Sequence, residues 1–194
     1  MKRLISAAAA GALLFIAGAL TGNAQGRTTF TGTVLTYASG MNTRTTTNPF
    51  TLRITGETSD ADAARYLNTL QNNGQDALLD AIKGEDLGSL TIGGRLAPRI
   101  NVVRVDDVRD KKRIRVAFAR WMTFAELRGS YRSTDYPFSY MEIMLDPRTG
   151  TGDGTFIAAA KVRFRTARNE VEIEDFGTYP SRLMGVRMRG APLP

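Results

Sequence analysis

Cysteine and histidine are both missing from this 194-residue chain. The first absence excludes disulfides, so stability has to come from an ordinary apolar core. A chain of this size can bury about 70% of its unfolded surface, which makes a covalent staple unnecessary. Without histidine or cysteine, Ser-His-Asp and Cys-His catalysis and zinc sites of the usual ligand set are excluded as well. Any acid–base chemistry would fall to Asp, Glu, Tyr, Lys or Arg. No glycine-rich phosphate loop of P-loop or dinucleotide-binding spacing occurs, and no cofactor is expected.

Long apolar runs are also scarce. The single example, Leu4–Leu20, follows the positive pair Lys2-Arg3 and leads into Thr21-Gly22-Asn23-Ala24. A positive start, an apolar stretch and small residues at Gly22 and Ala24 read as a secretory signal peptide over residues 1–24. Seventeen residues rich in Ala and Gly are short for a membrane anchor, which must cross ~30 Å of hydrocarbon. Export to the periplasm or medium is therefore expected, with one globular domain over residues 25–194.

The net charge is +7, and Lys2 and Arg3 contribute two of those charges to the leader. Nucleic acid and anionic lipid headgroups are the usual partners of a basic surface. Here 19 acidic residues are interspersed with the basic ones, so the charge balance by itself names no partner, and specific nucleic-acid binding is not expected.

After the leader, strand signals dominate. Thr28–Tyr37 is rich in Thr and β-branched residues, with Phe30 and Val34 on one face. Phe50, Leu52 and Ile54 alternate with Thr51, Arg53 and Thr55. The period then changes: Ser59 or Asp60 caps a helix carrying Ala63, Tyr66, Leu67 and Leu70, and Gln75–Lys83 forms a second short helix beyond Gly74. Strands resume at 87–92, 100–108, 113–121, 138–145, 155–165, 171–176 and 183–188. The expected fold is mainly β (α+β): an antiparallel barrel or sandwich of about eight strands with an inserted two-helix hairpin.

One pairing can be read in register. Lys161, Arg163 and Arg165 alternate with Ala160, Val162 and Phe164; Glu170, Glu172 and Glu174 alternate with Val171 and Ile173. An antiparallel hairpin with Arg165 opposite Glu170 sets opposite charges on one face and apolar pairs on the other. A slip of one residue would mix the two faces. The same reading puts Phe156, Ala158, Ala160, Val162 and Phe164 on a single face.

Two segments invite a functional reading. Asp146–Gly154 looks like a calcium loop, but Arg148 occupies the place of a carboxylate and no bidentate Glu closes it. A Pro/Gly turn is the better account, and no metal site is expected. The densest polar stretch runs from Glu126 through Arg128, Tyr131, Arg132, Ser133 and Asp135 to Tyr136. Guanidinium forks suit carboxylates or phosphates, and tyrosine supplies an amphipathic wall, so Glu126, Arg128, Tyr131, Arg132, Asp135 and Tyr136 are the candidate binding residues. The structural alternative is a loop in which Arg132 and Asp135 bond the backbone and each other ahead of the strand at Pro137.

The runs Gly74-Gln75-Asp76-Ala77-Leu78-Leu79, Phe124-Ala125-Glu126-Leu127, Arg132-Ser133-Thr134-Asp135-Tyr136-Pro137-Phe138, Gly152–Lys161 and Glu172-Ile173-Glu174 resemble a family of small secreted bacterial proteins of uncharacterised function. The resemblance covers residues 50–190. It implies export and a shared fold; it implies no activity and no functional residue.

These observations favour an exported non-catalytic β-domain that binds a small molecule or an envelope component, in a barrel mouth or through an exposed face. The alternatives are an acid-based hydrolase using Glu126 and Asp135, and a purely structural envelope protein. Protein recovered from the exported fraction is expected to begin at Gln25, as N-terminal sequencing or intact mass will show. Retention of residues 1–24 in a membrane fraction would overturn the signal-peptide reading.

Overall fold

The computed structural model describes residues 27–38, 44–120, 122, 132–177 and 179–190. The proposed signal peptide and the candidates Glu126, Arg128 and Tyr131 lie outside them. Ten strands form one antiparallel sheet: β1 (Thr28–Thr36), β2 (Thr46–Ile54), β3 (Gly88–Ile92), β4 (Arg95–Arg99), β5 (Val102–Val108), β6 (Lys111–Ala119), β7 (Phe138–Asp146), β8 (Thr151–Arg165), β9 (Glu170–Asp175) and β10 (Ser181–Gly190). Their spatial order is β4-β3-β2-β1-β10-β8-β7-β6-β5, with β9 on β8. The sheet curls into a half-barrel. Two meanders, β1–β4 and β5–β8, are joined by the last strand of the chain, β10.

Ten strands replace the expected eight or so. The additional one is β4, whose Pro98 masks the strand signal. Its turn, Gly93-Gly94, has φ of 56° and 79°, the pair of positive values that a two-residue hairpin loop demands. In place of a two-helix hairpin there is one helix, α1 (Asp60–Ile82), interrupted at Gly74, where φ is 80° and ψ −173°. Ser59 caps it: its hydroxyl accepts from the Asp62 amide at 3.1 Å and donates to the Asp62 carboxylate at 2.7 Å. Asp60 and Asp62 in the first turn suit the positive end of the helix dipole.

The concave side of the sheet is filled. Phe30, Leu52, Leu90, Ile114, Met141, Ile143 and Leu145 are each 0% exposed and belong to one apolar cluster. Close strand approach makes this filling possible. A Cβ at Gly152 would strike the Met144 carbonyl, and one at Gly154 the Glu142 carbonyl; side-chain-free positions of this kind let a sheet bend tightly. The two ends of the sheet meet around Ile100 and Asn101. Ile100 exchanges backbone bonds with Leu87 and Gly88 (2.8 and 3.0 Å), and Asn101 donates to the Ala117 carbonyl at 3.2 Å. The buried Asn101 side chain then donates to the Glu85 carbonyl (2.9 Å) and accepts from the Ala119 amide (2.9 Å).

A second, smaller apolar layer lies on the convex side, where Tyr66 and Ile82 of α1 pack with Phe138, Ile157 and Ala160. The long strand β8 serves both layers because of a bulge. Phe138 pairs with Ala160 but Tyr140 pairs with Ile157, so β8 holds one residue more than β7 over this stretch. Ser139 bonds across the irregularity, donating to the Ala158 carbonyl at 2.8 Å. The extra residue reverses which face each later position occupies. Phe156 therefore lines the half-barrel, while Ala160 and Val162 pack with α1. The single apolar face expected from Phe156 to Phe164 is corrected accordingly: the alternation is sound on either side of the bulge and broken across it.

Beyond the bulge the β8–β9 register is the expected one, with Arg165–Glu170, Phe164–Val171, Arg163–Glu172, Val162–Ile173 and Lys161–Glu174 opposite one another. The ion pairs run diagonally across that register: Arg165–Glu172 at 2.7 Å and Arg163–Glu174 at 3.5 Å. Phe164, near the hairpin tip, is only half-buried. Unfolding in urea separates these positions. Phe138→Ala, cut from a site 1% exposed, is expected to cost about 3–5 kcal/mol. Phe164→Ala is expected to cost under about 2 kcal/mol, and Glu172→Ala about 0.2–1 kcal/mol. Equal costs for Phe164→Ala and Phe138→Ala would show that the apolar layer reaches the tip.

Candidate functional site

Of the six residues singled out from the sequence, Arg132 and Asp135 bound a short 3₁₀ turn (Arg132–Asp135) and Tyr136 follows it. Tyr136 is buried, and its phenol donates to the Glu174 carboxylate at 2.5 Å. Its ring meets Phe176 edge-on, centroids 5.1 Å apart, and Lys161 Nζ stands 5.8 Å from the ring centre. The Asp135 carboxylate lies 3.9 Å from the same Lys161 Nζ.

The turn is held from both sides. Arg120 donates to the carbonyls of Tyr136 (2.7 Å) and Ser133 (2.8 Å). Gln75, the first residue past the kink in α1, donates to the Asp135 carbonyl at 3.0 Å and accepts from the Val162 amide at 3.3 Å. That amide lies just past the last β7 pairing of β8, so Gln75 supplies an acceptor that no neighbouring strand offers there. Tyr136, Asp135, Lys161, Glu174 and Gln75 thus form a network between helix and sheet. The arrangement anchors the loop that enters β7.

The charged residues on the convex side of β5–β7 are likewise engaged. Arg113 and Arg115 both donate to Asp106 (2.5 and 2.8 Å), and Arg104 donates to the Thr58 carbonyl (2.8 Å) and to Asp60 (2.7 Å). Tyr140 donates to Glu142 at 2.9 Å. Burial, reinforced by the Glu142 charge, pushes the Tyr140 phenol far above its ordinary range, so it stays a neutral donor.

The other half of the convex side differs, and sequence reading did not find it. Across β10-β1-β2-β3-β4, residues in register form the row Arg189–Thr29–Arg53–Ser89–Arg99, and beside it Arg187–Thr31–Thr51–Thr91–Leu96. With strands about 4.8 Å apart, arginines stand on every second strand of the first row, about 10 Å from one another. Arg27 and Arg182 extend the surface at its margins. Arg27, Arg53, Arg182, Arg187 and Arg189 are all exposed. Among the described residues none of these five forms an ion pair, and Asp86, 3.5 Å from Arg99, is the acid paired within the rows. A shallow open depression on this face is lined by Arg27, Thr29, Arg53, Thr55, Asp86, Gly88 and Ser89. Threonine and serine hydroxyls with unpaired guanidinium groups make a surface rich in donors, suited to phosphate or carboxylate oxygens.

No family model, no curated protein and no solved structure matches the chain.

Replacing Gln75 by Ala tests this network. The Val162 amide is expected to lose its protection against hydrogen exchange, with a stability loss of about 1 kcal/mol. Unchanged protection at Val162 would mean that Gln75 does not hold helix and sheet together.

Proposed function

We propose that the chain is an exported, non-catalytic envelope protein that binds its partner through the uncovered convex face of β10-β1-β2-β3-β4. The observation that carries this reading is the contrast between a filled interior and an unpaired arginine face. Among the described residues, the seven named above at 0% exposure pack the interior of the half-barrel. The convex face, by contrast, presents five exposed arginines that form no ion pair among the described residues. Stability alone gives no reason to gather like charges on one face, where they repel. The signal-like leader and the resemblance to small secreted bacterial proteins support export and the envelope as the place of action. The Asp135–Tyr136 cluster serves as the loop anchor in this reading.

Fractionation of cells expressing the full chain tests the proposal. The processed protein is expected to sediment with the envelope and to be released by a high-salt wash, because exposed charge contacts are screened by salt. The triple variant Arg53→Glu, Arg187→Glu, Arg189→Glu is expected to remain soluble, while Arg163→Glu behaves as the unaltered protein. Envelope retention that survives the triple reversal would overturn the assignment of this face.

A further inference from the structure

Given that this face is the binding surface, its shape and chemistry specify the partner further. We infer that the convex face of β10-β1-β2-β3-β4 docks flat on a phospholipid leaflet that carries anionic headgroups.

Three features lead there. First, the charges are spread in two dimensions. Arg189, Arg53 and Arg99 stand in one cross-strand row and Arg187 in the next, about 7 Å along the strands. Among the described residues, the depression on this outer side of the curled sheet is open rather than a groove that would track a single chain. A layer of headgroup phosphates meets an array of this kind at many points; a linear polyanion meets it along one line.

Second, no aromatic residue stands in either row. Proteins that hold single-stranded nucleic acid by the bases need such platforms for stacking. The rows offer Thr29, Thr31, Thr51, Ser89 and Thr91 instead, whose hydroxyls donate to phosphate oxygens between the guanidinium forks.

Third, two of the four large exposed apolar side chains, Leu96 and Met184, are on the same side, a third, Tyr179, stands beyond its margin, and the fourth, Phe176, lies away from it against Tyr136. Leu96 is 58% exposed and continues the Arg187 row, and Met184, 39% exposed, is in register with Thr33 on the same convex face. Tyr179, 62% exposed, packs edge-on with Tyr37 beyond the end of β1, centroids 6.3 Å apart. Apolar and tyrosine side chains around a basic face are what a surface-bound protein inserts to headgroup depth. Each arginine near an anionic leaflet adds to the attraction, which fades within a Debye length.

Flotation of the full mature chain with vesicles is the test. Binding is expected to vesicles of phosphatidylglycerol mixed with phosphatidylcholine, to be absent with phosphatidylcholine alone, and to weaken as salt rises. Arg53→Glu with Arg189→Glu is expected to weaken it at least about tenfold. Leu96→Ser with Met184→Ser is expected to lower affinity and leave the salt dependence in place. All four positions are exposed, so an unchanged thermal unfolding midpoint will confirm that the variants fold. Equal binding to both vesicle types, or no effect of the arginine reversals, overturns the inference. Binding to DNA or an acidic polysaccharide with the same arginine dependence, and none to vesicles, also overturns it while leaving the face as the binding surface. If the face engages neither vesicles nor any envelope fraction, the functional reading beneath it falls too.

Discussion

The extra residue in β8, near Ala158 and Ala159, is the constraint on which the rest of the molecule depends. Up to Phe156 the strand faces the filled concave side and pairs with β10; from Ala160 it carries α1 on the convex side and pairs with β9. One strand thereby holds two apolar layers that lie on opposite faces of the same sheet. Without the bulge, Ala160 and Val162 would turn toward the concave side and the charged alternation of Lys161, Arg163 and Arg165 would fall beneath the helix. Burying cations there would cost far more than the helix contacts return.

The β8–β9 hairpin was legible because two independent patterns, charge and apolarity, agree on one register. The Ser59 cap was legible because hydroxyl residues before an amphipathic run have a local job. The bulge carries no such mark: Ile157-Ala158-Ala159-Ala160 is uniformly apolar, so nothing in the alternation shows where the faces exchange. β4 was hidden by Pro98, although Gly93-Gly94 between Ile92 and Arg95 is a strong hairpin signal in its own right. The candidate site was legible only in part. Asp135 and Tyr136 do come together with other polar groups, but the partners, Lys161, Glu174 and Gln75, come from distant stretches of chain. The arginine face was wholly hidden. Thr29 and Arg189 are 160 positions apart, and only the insertion of β10 beside β1 makes them neighbours.

That insertion also changes the meaning of the composition. Read along the chain, the basic residues are diluted by acids and suggest nothing. Read across the sheet, two groups separate from the rest. Arg104, Arg113, Arg115, Arg163 and Arg165 have carboxylates within reach and contribute to the fold. Arg27, Arg53, Arg182, Arg187 and Arg189 lie on the half of the convex side that α1 leaves bare.

A sheet that stops short of full closure has edges, and each is treated differently here. The free side of β5 is taken by the chain just before α1: Thr58 exchanges bonds with Val103 through backbone and hydroxyl, and Glu57 accepts from the Val105 amide at 2.9 Å. β4 is five residues long and carries Pro98 between charged ends, Arg95 and Arg99. β9 is six residues long and alternates with Glu170, Glu172 and Glu174. Short, charged or proline-bearing edges make poor templates for a further strand. A strand-rich chain without disulfides therefore has little tendency to join edge to edge, even where copies come close together.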